Sequence, residues 1–272
     1  MTVNSFLLLC SGGLVAGVMG AMLGLGGGVF LVPFLALIIG VPMHQAIATS
    51  IIAVIATSSA GAALNVERQT VNIRLGMLLE TATVTGAIIG GLTASMLSGA
   101  TLARIFSGLL VLVAAVMAWR SVRKAGVDTI SLDGSIPAQY YDEAAQTTVS
   151  YTVKRIPAAL AVSVVAGNVS GLLGIGGGIF KVPAMHLVCG IPMKAATTTS
   201  NFMIGVTAAA SAFIYFSEGH VNPMVATPAV LGVLAGSFAG SWLGRRVNTK
   251  ILTLIFIVVL LVVAFELFGR GS

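Results

Sequence analysis

The residues best suited to chemistry in this 272-residue chain are glycines. The phrase Gly24-Leu-Gly-Gly-Gly-Val-Phe-Leu-Val-Pro33 returns 150 residues later as Gly174-Ile-Gly-Gly-Gly-Ile-Phe-Lys-Val-Pro183, with seven of ten positions identical. Gly and Pro interrupt helical hydrogen bonding, and backbone freed at membrane depth survives only where protein or a cavity satisfies it. A helix that restarts after such a break presents unpaired N–H groups and the positive end of its dipole, a ready anion site. Gly26, Gly27 and Gly28, with Gly176, Gly177 and Gly178, carry no Cβ and let an oxyanion approach the backbone. The plainer use of the same glycines is tight helix packing or a sharp turn.

Lys181 stands where the first phrase has Leu31, three residues past the last glycine of its own phrase. An ionisable residue at that depth is a functional-site candidate, here as an anion contact. Its plainer role is snorkelling toward the interface or pairing with a carbonyl. Asn168 and Ser170 precede the second phrase where the first copy has Val18 and Gly20. Thr197, Thr198, Thr199, Ser200 and Asn201 open the next apolar run and answer Thr49 and Ser50. Ser50, Thr199, Ser200 and Asn201 are hydrogen-bond donors for anion oxygens, although hydroxyls in such helices more often satisfy backbone carbonyls.

Other chemistries lack their residues. There is no His-Glu-x-x-His, Gly-x-Ser-x-Gly or Cys-x-x-Cys and no phosphate loop, so no catalytic set, ATPase or cofactor site is expected. His44, His186 and His220 have no metal-ligand spacing, and Cys10 and Cys189 read as small core residues. Glu80 and Glu266 are expected near interfaces beside Arg74 and Arg270, leaving no central carboxylate to relay protons. Basic residues give a net charge of +6 but are scattered through short loops, which excludes a nucleic-acid surface.

The elements that must position these groups are membrane helices. The chain is 57% hydrophobic and 8% charged, against roughly 25% charged in soluble domains. Apolar runs near the length of about 20 residues needed to cross a bilayer lie at 5–23, 44–64, 75–97, 101–119, 156–173, 193–216, 224–244 and 251–268. Shorter runs at 28–40 and 178–190 follow the glycines and read as half-helices. The first run has no basic n-region, so a cleaved signal peptide is not expected.

The offset of 150 persists beyond the phrases: Gly17 and Gly167, Pro42-Met43 and Pro192-Met193, Val71-Asn72 and Val221-Asn222, Gly86/Gly90 and Gly236/Gly240. The last two pairs are small-x-x-x-small spacings for close helix packing. The expected fold is an all-α polytopic membrane protein of two inverted repeats. Each has about four helical segments, the first a broken helix or re-entrant hairpin. Residues 1–120 form the first repeat, 121–152 an aqueous cytoplasmic linker with some helix, and 153–272 the second repeat. An odd number of crossings per repeat puts eleven Lys and Arg on the linker side and two on the other, in line with the positive-inside bias. Both termini are then outside and the linker inside. Trp119 and Trp242 read as interfacial anchors.

The doubled Gly-x-Gly-Gly-Gly-x-x-x-Val-Pro phrase, early in each half of a chain so organised, resembles the sulfite exporter TauE/SafE family of prokaryotic membrane proteins. That resemblance implies export of small anions, sulfite or organosulfonates, across the inner membrane, with no cofactor. An alternating-access cycle driven by the membrane potential needs no coupling ion, since a negative interior favours anion exit by about 2.3 kcal/mol per charge per 100 mV. The rival readings are a transporter of metal or other cations, and an assembly or sensor protein that moves nothing.

Overall fold

The computed structural model describes residues 3–23, 27–122, 136–142, 146–243 and 249–270. It is almost wholly helical. The described helices are α1 (Val3–Leu23), α2 (Gly28–Ile39), α3 (Met43–Glu67), α4 (Ile73–Met96), α5 (Gly99–Val122), α6 (Ile156–Leu173), α7 (Gly178–Val188), α8 (Met193–Ser217), α9 (Pro223–Leu243) and α10 (Thr249–Arg270). Seven are long and apolar enough to cross a membrane: α1, α3, α4, α5, α6, α8 and α9. In α10 the apolar stretch runs over Thr253–Gly269. Large apolar side chains such as Leu7, Ile88, Phe213 and Phe265 point outward, as helices that meet lipid require. Trp242 is exposed near the end of α9. The side chain of Trp119 and most of 121–135 lie outside the described residues.

The two short helices behave alike, for one reason. Pro33 and Pro183 have no N–H to donate, and after each the ladder widens from α to π hydrogen bonding, over Phe34–Ile39 and Ala184–Val188. At 12 and 11 residues they rise only about 16–18 Å, half a bilayer's thickness. Each returns to the side from which the preceding long helix came. Lys154 N–H, just before α6, donates to the carbonyl of Cys189 beyond α7, at 3.0 Å.

The halves interlock. Helix α1 packs along α9 and α6 along α4, the two seams being copies of each other. The small-residue pairs line these seams: a Cβ on Gly86 or Gly90 would collide with the carbonyls of Val164 or Asn168, and one on Gly236 or Gly240 with those of Leu14 or Val18. Contacts advance together along each seam, so its helices run in the same sense. At the centre α3 crosses its own counterpart α8 in the opposite sense, Gly61 meeting Asn201 while Ser58 meets Gly205.

The described part of the linker departs from expectation. It is an antiparallel β-hairpin, β1 (Ile136–Asp142) and β2 (Thr147–Val153), with Ile136 opposite Val153. It is also not simply aqueous. Tyr140, Tyr151 and Val153 are buried in one cluster with Leu75 and Leu79 of α4, Met185 of α7 and Ala196 of α8. Alternation along β2 puts Tyr151 and Val153 on one face, and helix surfaces cover that face. Asn72 Nδ2 reaches the Tyr151 hydroxyl at 3.4 Å. Burial pushes the Tyr151 phenol up, and the Asn72 hydrogen bond opposes this in part.

Candidate functional site

The two glycine phrases meet. A Cβ on Gly28 would lie 2.6 Å from the Gly174 carbonyl oxygen and 2.6 Å from Ser50 Oγ, so glycine there permits the contact between the tips. The Ser50 hydroxyl donates to that same carbonyl at 2.7 Å. The second tip turns through left-handed backbone, with φ of +79° at Gly176 and +71° at Gly177, where a side chain would be strained. Val54 and Ile204, equivalent residues of α3 and α8, close around Gly176.

Beside this junction lies a polar cavity of about 360 Å³. Its wall is built by α1, α3, α8 and α9, with Gly27 and Val182 contributed by the tips' short helices. It sits toward the linker face, where α3 ends and α8 begins. Among the described residues of the wall Arg68 is the charged one, and Asn65, Thr57, Ser200, Asn201 and Ser237 add amides and hydroxyls. Among the described residues no carboxylate lines it. Ser200 Oγ is buried without a protein hydrogen-bond partner. Gly61 leaves room for the Asn201 amide, since a Cβ there would lie 2.7 Å from Nδ2. Gly27 is the N-cap of α2, and first-turn N–H groups have no acceptor within their own helix. A guanidinium, amide groups, a free hydroxyl and a helix N-terminus converge here with no negative charge among the described residues, an arrangement for an oxyanion.

Of the residues expected at the site, Gly27, Ser200 and Asn201 line this cavity, and Gly28 lies behind it against Ser50. Gly26 falls outside the described residues. Thr199 turns away, its oxygen accepting from the Asn72 N–H at 3.0 Å. The backbone of Asn168 packs under Gly86 and Gly90. Gly176, Gly177 and Gly178 are buried at the second tip.

Lys181 also stands apart from the cavity and is 2% exposed. Its ammonium donates to Thr207 Oγ1 at 2.8 Å and lies 3.8 Å from Glu80 Oε2. The Thr207 hydroxyl donates to Glu80 Oε1 at 2.6 Å. Lys181 thus meets a protein carboxylate outside the cavity wall, and Glu80, expected as an interfacial neighbour of Arg74, is corrected to a buried partner from the other half. Sequence reading also passed over Arg68, counted only as a loop charge, and Thr57, whose repetition at Thr207 was the available signal.

A larger hollow of about 430 Å³ lies between α1, α2 and α10, walled by hydrocarbon with Ser11 as its polar exception. Leu8, Val15 and Ile38 on its rim are exposed. Among the described residues no three His, Cys, Asp or Glu side chains converge as a metal site would require.

A polytopic bundle with a polar cavity between opposed broken helices defines a membrane transporter. The chain belongs to the sulfite exporter TauE/SafE family, which it matches over residues 9–267. It is 29% identical to "Probable membrane transporter protein YunE" of Bacillus subtilis (strain 168), over 85% of this chain and 86% of that one. It is 27% identical to a "Probable membrane transporter protein" of Xylella fastidiosa (strain 9a5c), over 87% and 84% of the two chains. A Haemophilus influenzae protein so named is 29% identical over 86% and 85%. No solved structure matches the chain. The protein is thus a multi-pass membrane transporter, not an enzyme.

Proposed function

We propose that the chain exports small oxyanions, sulfite and organosulfonates among them, by alternating access around the linker-face cavity. The observation that carries this is the composition of the wall, with Arg68, Asn201 and the unpartnered Ser200 hydroxyl grouped near the start of α2 and no carboxylate among them. Cation transport would call for the opposite sign. The anion site consists of Gly27, Ser200, Asn201, Thr57, Asn65 and Arg68. Lys181 steadies the wall from behind through Glu80.

The halves are inverted repeats in the inner membrane of a prokaryote, with the linker in the cytoplasm and both termini outside. The opposite senses of α3 and α8 support the inversion, and the loop charges support the orientation. The cavity then faces the cytoplasm in this state, where an exporter loads. Reconstitution into vesicles tests the reading with sulfite, sulfoacetate, carboxylates and divalent cations as separate substrates. Selective, saturable movement of the sulfur oxyanions is expected, with Arg68→Gln raising the half-saturating concentration about tenfold or more, the value of a charged hydrogen bond. Movement of cations alone would overturn it.

A further inference from the structure

The cavity has a shadow. Applying the offset of 150 to its lining residues gives a second set clustered around the second tip: Thr57 maps to Thr207, Gly27 to Gly177, Gly20 to Ser170 and Ser200 to Ser50. These positions are packed shut here, Thr207, Ser170 and Ser50 being at most 1% exposed. Ser170 Oγ is nonetheless without a hydrogen-bond partner, beside Gly177 at the tip. A buried hydroxyl left unsatisfied costs free energy, about 1–3 kcal/mol on mutational scales, and at its copy's position Gly20 lines the open cavity.

The two sets differ where charge matters. Arg68 maps to Glu218, Asn65 to Tyr215 and Asn201 to Ile51. Glu218 ends α8 on the far side of the molecule from Arg68, with its carboxylate 3.6 Å from His220 Nε2, and His220 stacks on His44 at the start of α3. Tyr215 is buried, its hydroxyl donating to the Leu172 carbonyl at 3.2 Å. The copied wall therefore offers a carboxylate in place of the guanidinium and loses both amides, and the cation that touches it, Lys181 on Thr207, is already paired with Glu80.

We infer that this second set is the anion site of the state open to the opposite face, and that it binds the oxyanion more weakly than the cavity seen here. The inference rests on the transport reading above and adds to it an asymmetry. The chain captures its anion at the linker face and discharges it past Glu218. Unequal affinities leave the final distribution across the membrane unchanged, because the equilibrium between the two states must offset them. They set the concentration at which each face saturates.

The test is exchange of labelled sulfoacetate in vesicles holding the protein in one orientation, with one face saturated while the concentration at the other is varied. Half-saturation at the linker face should come at a concentration at least tenfold lower than at the opposite face. Glu218→Gln should lower the opposite-face value severalfold and leave the linker-face value in place, and Arg68→Gln should raise only the linker-face value. Both residues are surface-accessible, so the variants should fold. Equal half-saturation at the two faces, or a Glu218→Gln effect equal on both, overturns the inference alone. Absence of any sulfoacetate exchange by the unaltered protein overturns the transport reading with it.

Discussion

Ser50 donates its hydroxyl hydrogen to the carbonyl of Gly174, 2.7 Å away and 124 residues along the chain, so the first half holds the glycine phrase of the second. Both groups are buried. Ser50→Ala should therefore lose about 1–3 kcal/mol, the penalty for stranding a buried carbonyl. Thermal unfolding in detergent reads this as a lowered midpoint, and an unchanged midpoint would show that the tips are held by packing alone.

The Lys181 and Glu80 pair predicts a different pattern. Removing one partner leaves an uncompensated buried charge, which costs about 3–5 kcal/mol, whereas replacing both with apolar residues of similar volume is often nearly neutral. Lys181→Met should lose much of its stability, and the double variant Lys181→Met with Glu80→Leu should recover most of it. Anion affinity at the linker face should stay within about threefold of the original in the double variant, since Lys181 does not line that cavity. A large loss of affinity in that folded double variant would return Lys181 to the site.

Tyr151 fastens the linker hairpin to the helices. Tyr151→Phe removes only the hydroxyl that meets Asn72, worth about 0.5–1.5 kcal/mol, while Tyr151→Ala opens a void costing about 3–5 kcal/mol. The ranking of the two melting points checks the contact. Burial holds the phenol above the ordinary tyrosine range, so its un-ionised contact persists through neutral pH. The stability that it adds is present below a pH of about 10, the unfolded value, and is lost as pH rises through the higher folded value.

Orientation is open to chemical labelling. Gln69, in the turn after α3, and Gly219, in the turn after α8, are both solvent-facing ends of counterpart helices. With Cys10 and Cys189 replaced by Ala, single cysteines at 69 and 219 should react with an impermeant maleimide from opposite sides of the membrane. Labelling of both from one side would contradict the inverted arrangement.

Much of the fold is legible in the sequence because it is written in short range. Each long helix matches an apolar run to within a few residues, and Pro33 and Pro183 announce the short ones. The pairing of Gly86 and Gly90 with a close helix neighbour follows from their spacing. Which helix that neighbour is does not, because α6 is brought to α4 by tertiary packing. The same limit hid the Glu80 partner, 101 residues away in the other copy, and left Arg68 as a loop charge when α8 and α9 make it a cavity wall. The linker hairpin was missed for a related reason: its alternation is brief, and its buried face exists only where α4, α7 and α8 supply one.

The exchange of leading helices, α1 onto α9 and α6 onto α4, ties the two halves into one folding unit. Neither copy by itself is a self-contained folding unit, since each would present a bare glycine seam awaiting a helix of the other. Each half thus completes the other's packing surface, and the two must assemble together for either seam to close.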